Sequence, residues 1–321
     1  MSKEAKVGIA LLGCGSHQFT QSEVTRAGGA LLFESEMNPD DSESAMALAK
    51  LATRQQGVEV VSIMFSPISI RVDAATVALE SGCHVILERP AGFTPDHISR
   101  LDAAAKSAGV RYWERATTAF EEPFTRVQEI LESSVLGEIV LTTFHRSYPW
   151  ASWRPEDEAE TGGLMLQSAS YGLDFICQLT KKQITQIRVS ETTFGEPEYR
   201  KLRMAGILVA ELEDSSIASI SVDYLNPSAN PWSREEIRFL GTNGRLDIDS
   251  TVGTLTVINK EGATSEKFHK GQSRMLSEIF TAIREGGDTL PSSESLLQPT
   301  KILVEARASS NTGWHSLMRK E

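Results

Sequence analysis

The sequence predicts an α/β protein of two domains: an N-terminal doubly wound parallel sheet, then a C-terminal α+β domain with a large, mostly antiparallel sheet. Three observations support this prediction. The chain has 321 residues, more than a single hydrophobic core usually accommodates. Buried-strand patterns alternate with helical patterns up to residue 116. Beyond that residue, runs of alternating polar and apolar side chains dominate.

The first domain is predicted to span residues 1–116. Residues 7–12 form a near-continuous apolar run, which is typical of a strand covered by helices on both faces. Strands connected by helices in this way form a parallel sheet. Further strands are predicted at 30–37, 58–65, 84–87 and 110–113, and helices at 21–27, 42–52, 72–81 and 95–108.

The second domain is predicted to span residues 117–321 and to be rich in strands. Residues 219–224 alternate between polar and apolar side chains, which indicates one covered face and one face toward water or a second subunit. The run Gly-Thr-Asn-Gly at 241–244 predicts a hairpin turn and so antiparallel pairing. Strands are predicted at 139–145, 184–193, 206–212, 216–224, 236–240, 245–249 and 254–258, and helices at 123–133, 273–285 and 296–311. The last two helices could pack back on the first domain.

Composition argues against several classes of protein. The chain carries 43 acidic and 32 basic residues, a net charge of −11, and shows no basic cluster suited to a nucleic acid. No apolar run approaches the length of a membrane helix, and the charged start precedes no signal-type cleavage site, so a soluble, cytoplasmic protein is expected. Cys14, Cys83 and Cys177 are odd in number and lie in apolar patterns, which favours reduced thiols over disulfides or a metal site.

A glycine loop follows the first predicted strand and opens a helix. Residues 13–18 read Gly-Cys-Gly-Ser-His-Gln, and such a loop brings backbone N–H groups and a helix N-terminus against a pyrophosphate. Gln18 stands where the third glycine usually allows close helix–strand packing, so a purely structural turn remains an alternative. The loop predicts a Rossmann dinucleotide-binding domain. The expected cofactor contacts here are Gly13, Gly15, Ser16 and His17, although His17 could simply fill the loop.

Glu36 lies about 20 residues beyond Gly15, where an acidic side chain accepts hydrogen bonds from an adenosine ribose. Its charge repels a 2′-phosphate, which favours NAD over NADP as the cofactor. Glu34 competes for this role because the register is uncertain by a residue or two. Glu36 could also be only the solvated end of a strand.

The chain carries further motifs in a fixed order over almost its whole length. They are Ser66-Pro67, residues 78–85, Glu88-Arg89-Pro90, Gly162-Gly163, Leu173-Asp174, and residues 241–244, 280–286 and 309–313. In these motifs the chain resembles the Gfo/Idh/MocA oxidoreductases, the family of glucose–fructose oxidoreductase and inositol dehydrogenase. The resemblance implies NAD(P)-dependent chemistry on a sugar, a cyclitol or a related hydroxy or carbonyl compound, and a homodimer or homotetramer. It adds Ser66, Pro67 and Glu88 to the expected cofactor contacts.

The three catalytic positions of that family are substituted in this chain. Arg89 replaces the lysine of Glu-Lys-Pro, Gln167 replaces an aspartate and Tyr171 replaces a histidine. Arginine does not release a proton near neutral pH and glutamine does not titrate, so the usual acid–base groups are absent. Tyr171 could relay a proton if a cation such as Arg89 lies close. Alternatively, Tyr171 only fills the cleft.

Other side chains could contact a ring-shaped or anionic substrate. His145 follows a predicted strand and could edge the cleft, although a histidine there is more often structural. The expected substrate contacts are Arg89, His145, Trp153, Arg154 and Asp174.

Three functions are compatible with these observations. The first is an NAD-dependent oxidoreductase in which Tyr171 relays a proton and Arg89 polarises the substrate oxygen. The second is a non-redox binding or regulatory protein that keeps the cleft, which the substitutions would explain directly. The third is a lyase, isomerase or glycosidase that holds an anionic substrate with arginines.

Overall fold

The computed structural model divides the chain into two compact units. Unit 1 comprises Met1–Thr117 and Ser273–Lys301, and unit 2 comprises Thr118–Gln272 and Ile302–Glu321. The residues whose structure is described are 6–14, 18–115, 118–121, 123–149, 158, 162–195, 202–227, 233–269, 273–309 and 315–316. Within these ranges, no helix combines the length and the apolar character that crossing a membrane requires.

Unit 1 contains a sheet of five strands in the order β2-β1-β3-β4-β5. The strands are β1 (Val7–Leu12), β2 (Gly29–Ser35), β3 (Val58–Ile63), β4 (His84–Leu87) and β5 (Tyr112–Glu114), and the helices between them are α1 (Gln21–Arg26), α2 (Ser42–Thr53), α3 (Ile68–Glu80) and α4 (Pro95–Ala108). All neighbouring strands are parallel, which confirms the predicted Rossmann-type sheet. The strand order reverses beside β1, so the carboxyl ends of β1 and β3 flank the position where such sheets bind ligands.

Capping side chains fix where the helices of unit 1 begin. Thr20 accepts the N–H of Glu23, and the carboxylate of Glu23 accepts the N–H of Thr20 at 2.7 Å, which starts α1. Asp41 and Thr94 cap α2 and α4 in the same way through one backbone N–H each. Gly109 ends α4 with a φ of 69°, a conformation that glycine adopts without strain.

Several element boundaries in unit 1 differ from the prediction, and two of these differences bear on candidate residues. Strand β2 ends at Ser35, so Glu36 follows the strand instead of lying within it. Helix α3 begins at Ile68, directly after Pro67, because a proline is tolerated ahead of a helix, where no N–H donor is needed.

Unit 2 contains a sheet of nine strands in the order β13-β12-β11-β10-β6-β9-β8-β7-β14. Only the β6–β9 pair is parallel among the described strands of this sheet, and the other pairs are antiparallel, as predicted. The strands are β6 (Ile139–Ser147), β7 (Ile184–Thr192), β8 (Ala205–Leu212), β9 (Ile217–Asp223), β10 (Arg234–Gly241), β11 (Gly244–Asp249), β12 (Thr254–Asn259), β13 (Gly262–Lys267) and β14 (His315–Ser316).

Four further α-helices and a 3₁₀ helix, Thr118–Phe120, belong to the described structure. Helices α5 (Phe124–Glu132) and α6 (Ser170–Thr180) belong to unit 2, and α7 (Met275–Glu285) belongs to unit 1. Helix α8 (Ser293–Ser309) begins in unit 1 and ends in unit 2.

Helix α6 packs closely on one face of the unit 2 sheet. A Cβ on Gly172 of α6 would lie only 2.7 Å from ring carbons of Phe144 in β6. The π-helical turn Met165–Ala169 precedes α6, and its Met165 approaches β8 at Gly206, where a Cβ would lie 2.5 Å from the methionine sulfur. Two glycines therefore allow the helix and the turn to approach the sheet.

The sequence patterns do not predict three elements of unit 2. The π-helical turn and α6 form one helical stretch, and the turn interrupts the 3.6-residue apolar period on which helix prediction depends. Strand β13 is polar and exposed along its whole length, so no apolar alternation marks it. Strand β14 contains two residues, too few for a pattern.

The close approach of α6 and β6 predicts the effect of a small substitution. Gly172→Ala should lower the free energy of unfolding by about 1–3 kcal/mol, because the methyl group would overlap the Phe144 ring. Urea denaturation followed by circular dichroism measures the change. Gly287→Ala is the matched control, since nothing lies within 4 Å of a Cβ at Gly287. Equal stability of the two variants would contradict this account of the packing.

Candidate functional site

Gly13 ends β1 in a conformation and a space that only glycine fits. Its φ is 92°, and a Cβ would lie 3.0 Å from the carbonyl carbon and oxygen of Met64, after β3. The N–H of Gly13 donates to the carbonyl oxygen of Ser35 at 2.8 Å. The turn after β1 is thus held between the ends of β2 and β3, at the crevice expected to bind a dinucleotide. The other predicted loop contacts, Gly15, Ser16 and His17, lie outside the described residues.

Gln18 replaces the packing role of the third glycine with hydrogen bonds. Its Nε2 donates to the carbonyl oxygen of Leu12 at 3.0 Å. Its Oε1 accepts from Ser62 Oγ and from the N–H of Phe19, both at 2.9 Å. The side chain therefore ties the loop to β1 and β3, which the glycine pattern alone does not reveal.

Glu36 lies at the same edge of the sheet. Leu12 pairs with Ser35 at the end of β1 and β2, so Glu36 follows the last pair and is exposed. Glu34 lies within β2, opposite Leu11. The structure therefore places Glu36 nearer than Glu34 to the turn after β1, where an acidic side chain can accept hydrogen bonds from a ribose.

Arg71 holds together the turns that contain Ser66, Pro67 and Arg89. This fully buried side chain donates from Nη1 to the carbonyl oxygen of Phe65 at 3.0 Å and from Nη2 to that of Pro90 at 2.7 Å. Burial lowers the pKa of Arg71 to about 10, while the carboxylates of Glu88 and Glu114 act in the opposite direction. The guanidinium thus stays charged at neutral pH.

Glu88 and Arg89 follow β4 beside the end of β3. The N–H of Glu88 donates to the carbonyl oxygen of Ile63 at 3.2 Å. The side chain of Arg89 is only 2% exposed, and its Nε lies 3.2 Å from Oε2 of Glu114. The structure therefore brings the described cofactor candidates and Arg89 to one edge of the sheet. It adds Glu114, which the sequence prediction missed.

Two glycines begin the helical stretch that carries Gln167 and Tyr171. Gly162 and Gly163 have φ values of 77° and 83°, and a Cβ on Gly163 would lie 3.0 Å from the carboxyl group of Glu158. Gln167 lies in the π-helical turn and Tyr171 in the first turn of α6. Such π-helical turns often occur at functional sites.

A network of charged side chains holds the start of this stretch. Arg307 donates to Oε2 of Glu158 at 3.0 Å and also to the carbonyl oxygen of Gly162. The N–H of Arg203 donates to Oε1 of Glu158 at 2.9 Å, and its Nε lies 3.4 Å from Oε2 of Glu191. The pKa of Glu191 is raised, mainly by burial. The charge of Glu158 also raises it, whereas Arg203 and Arg307 act in the opposite direction.

Arg146 is the cation beside Tyr171 within unit 2. Its guanidinium carbon lies 3.8 Å from the centroid of the Tyr171 ring and 4.9 Å from that of Tyr148, and its Nε lies 3.2 Å from Oε2 of Glu235. Burial lowers the pKa of Arg146, but Glu235 and the two tyrosines outweigh burial, so the net shift is upward. Arg146 is thus a fixed positive charge against the ring, a role that the sequence prediction gave to Arg89.

His145 and Tyr171 lie on opposite faces of the unit 2 sheet. Phe144 contacts α6, so its neighbour His145 points to the other face. There Nδ1 of His145 lies 2.9 Å from Ser221 Oγ, and Nε2 lies 3.9 Å from Oδ2 of Asp223. The structure therefore does not bring His145 together with Tyr171, and a contact between His145 and the substrate stays a prediction.

The remaining substrate candidates are placed as follows. Asp174 lies in α6, in the turn after Tyr171, and is fully buried, so its side chain belongs to the interior of unit 2. Trp153 and Arg154 lie outside the described residues.

Comparison with known families decides the assignment of this architecture. Residues 17–115 match the model described as "Oxidoreductase family, NAD-binding Rossmann fold", and residues 124–247 match the "GFO/IDH/MocA C-terminal domain". The chain belongs to the Gfo/Idh/MocA oxidoreductase family. The resemblance seen in the sequence motifs is therefore confirmed, and so is the NAD-binding Rossmann fold of unit 1.

Individual relatives show how far the family assignment reaches. A 1-carboxy-3-chloro-3,4-dihydroxycyclohexa-1,5-diene dehydrogenase of Comamonas testosteroni is 29% identical over 40% of this chain and 34% of its own length. The chain thus spans about a third of that relative. The uncharacterised oxidoreductase YhhX of Escherichia coli is 26% identical over 70% of this chain and 71% of its own length.

A solved structure shows the same fold over the whole chain. An inositol dehydrogenase homolog of Azotobacter vinelandii, complexed with NADH and myo-inositol, is 14% identical, with a TM-score of 0.75 over 98% of each chain. At this sequence identity, the similarity between the two structures shows only that this chain has the same fold.

The hydrogen bond between Gln18 and Ser62 predicts a contribution to the free energy of unfolding that a pair of substitutions can isolate. Gln18→Ala should lower the free energy of unfolding by about 1–3 kcal/mol, because buried Ser62 would lose its acceptor. Ser62→Ala removes the same bond from the other side, so the double variant should lose less than the sum of the two single losses. Urea denaturation of all four proteins measures this coupling. Strictly additive losses would show that the Gln18–Ser62 bond contributes nothing.

Proposed function

We propose that the protein is an NAD-dependent oxidoreductase that interconverts an alcohol and a carbonyl group on a sugar, a cyclitol or a related ring compound. The observation that carries the proposal is the stacking of Arg146 on Tyr171. Tyr171 stands where the family has its catalytic histidine, and it keeps a group that can exchange a proton beside a permanent cation. The family assignment supports the redox chemistry.

The residues at the carboxyl edge of the unit 1 sheet fit the cofactor. Gly13 lets the turn after β1 lie directly against the backbone that follows β3, in the crevice where Rossmann sheets bind a dinucleotide. Glu36 would bind the adenosine ribose, and the turns at Ser66-Pro67 and Glu88 would flank the rest of the dinucleotide. NAD supplies a hydride acceptor for alcohol oxidation and, when reduced, a hydride donor.

The chain's own residues handle the proton and the charge on the substrate oxygen. In alcohol oxidation Tyr171 would relay the hydroxyl proton through Oη to water as hydride leaves the carbon, and in carbonyl reduction it would relay a proton back to the oxygen. Arg146, held by Glu235, keeps a positive charge beside the phenol ring. Arg89 polarises the oxygen but transfers no proton, because a guanidinium does not lose a proton in this pH range.

A non-redox binding protein is the second candidate function. It is favoured by the burial of Arg89 against Glu114, since a cation committed to a carboxylate is less available to a substrate. Substrate-dependent formation of NADH, measured at 340 nm with a panel of sugars and cyclitols, separates the two candidates.

We also propose that the protein forms the homodimer or homotetramer that the family resemblance implies. Sedimentation equilibrium measures the oligomeric state.

Cofactor choice follows from the charge at the end of β2. NAD should bind more tightly than NADP, because the carboxylate of Glu36 repels a 2′-phosphate. Glu36→Ala should reduce this preference by about tenfold or more, as measured by calorimetric titration with each cofactor. Glu34→Ala is the matched control and should keep the preference. A change with Glu34→Ala alone would transfer the role to Glu34, and no binding of either cofactor would overturn the proposed function.

The proton relay predicts a large effect from the loss of one oxygen atom. Tyr171→Phe keeps the ring that stacks on Arg146 but should lower kcat by roughly 10²-fold or more, the usual size of a lost general acid–base group. The NADH dissociation constant should stay nearly unchanged. Steady-state kinetics and NADH titration measure both quantities. Tyr224→Phe removes a buried tyrosine hydroxyl elsewhere in unit 2 and controls for stability. Unchanged turnover in Tyr171→Phe would assign Tyr171 to packing.

A further inference from the structure

Glu114 is a buried carboxylate that lies beside Arg89. It ends β5, opposite Leu87 of β4, and is fully buried. Its Oε1 accepts the N–H of Ala91 at 2.5 Å. Its Oε2 accepts from Thr300 Oγ1 at 2.9 Å and lies 3.2 Å from Nε of Arg89. A carboxylate out of water is costly unless its oxygens are bonded and its charge is neutralised, so these contacts must form together.

Charged side chains of both signs lie around this turn. Arg71 and Arg89 are guanidinium groups, and Glu88 and Glu114 are carboxylates that act on the pKa of Arg71. Arg71 also donates to the carbonyl oxygen of Pro90. The next residue, Ala91, donates its N–H to Glu114. The cation of Arg71 and the carboxylate of Glu114 thus hold two consecutive residues of the turn after β4.

We propose that Glu114 is the positioning residue for Arg89. It holds the guanidinium and the Arg89-Pro90-Ala91 turn in one arrangement, so that Arg89 presents a fixed positive charge to the substrate oxygen. The inference rests on the proposed function. It explains how arginine can serve at the family's lysine position: the cation is used for orientation and charge, and proton transfer is left to Tyr171.

Thr300 of α8 gives independent access to this arrangement. Its hydroxyl donates to the same carboxylate oxygen that lies beside Arg89. Thr300→Val keeps the shape of the side chain and removes the bond, and Thr300→Ser keeps the bond. Glu114→Gln keeps an acceptor for Ala91 but places an uncharged amide against Arg89.

A matched control exists in the same unit. Thr289 is also a buried threonine, and its Oγ1 accepts from Nε1 of Trp113 at 3.1 Å, next to Glu114 in β5. Thr289→Val therefore removes this bond to β5, together with a longer one of 3.4 Å to Oδ1 of Asp288, without touching the carboxylate of Glu114. It should lower the melting temperature to a similar extent as Thr300→Val.

The experiment compares kcat, KM, NADH affinity and melting temperature across the four variants, with the best substrate of the sugar and cyclitol panel. Glu114→Gln should lower kcat/KM by about 10- to 100-fold and Thr300→Val by about 3- to 10-fold, since each loosens a bond to a charged group. Thr300→Ser should restore the wild-type value, and Thr289→Val should stay within about twofold of it. Equal kcat/KM in Thr300→Val and Thr289→Val would overturn the inference and leave Glu114 with a purely structural role.

The NADH measurement separates failure of this inference from failure of the proposed function. If the wild-type protein turns over no member of the panel, the redox proposal fails. The effect of Glu114 on the turn after β4 is then tested through NADH affinity, which is measured by energy transfer from tryptophan to bound NADH. Glu114→Gln should weaken NADH binding by about tenfold, while Thr289→Val should not. Equal affinities of these two variants would overturn the positioning role.

Discussion

Guanidinium groups buried at the carboxyl ends of strands have to be neutralised, and the arrangement of the candidate residues in each unit follows from this requirement. An unpaired buried charge costs several kcal/mol, so each cation is built together with its carboxylate. In unit 1 this pairs Arg89 with Glu114, and in unit 2 it pairs Arg146 with Glu235. The turns and the helix that carry the other candidates are positioned around these pairs.

This constraint also decides which side chains can move a proton. Arginine and glutamine hold one protonation state across the physiological range, so Arg89 and Gln167 contribute charge and hydrogen bonds only. Among the three family positions, Tyr171 alone keeps an exchangeable proton. The neighbouring Arg146 gives it a cation from its own unit.

The fold was predictable from the sequence because local patterns carry it. Apolar runs such as Val7–Leu12 and the alternation in Ile217–Asp223 reflect burial directly. The site was less predictable because its contacts join residues distant in sequence. His145 and Arg146 are adjacent, and a shift of one residue exchanges the two faces of a strand, so sequence alone does not say which one faces α6. Glu114 lies at the end of a strand, where an acidic residue is usually expected to be exposed to solvent. Only the packed structure shows that it is buried.

Two of the three departures from the family pattern, Arg89 and Tyr171, contact residues that the pattern does not include. Arg89→Lys would replace a planar group by a compact ammonium against Glu114, and the two differ in geometry and hydration. Tyr171→His would place an imidazole against Arg146, whose charge disfavours the protonated ring. Arg89 therefore depends on Glu114, and Tyr171 on Arg146 and Glu235, and the chemistry has to be argued from these residues together. Loss of the family's lysine, aspartate and histidine is thus not sufficient evidence that redox chemistry is lost.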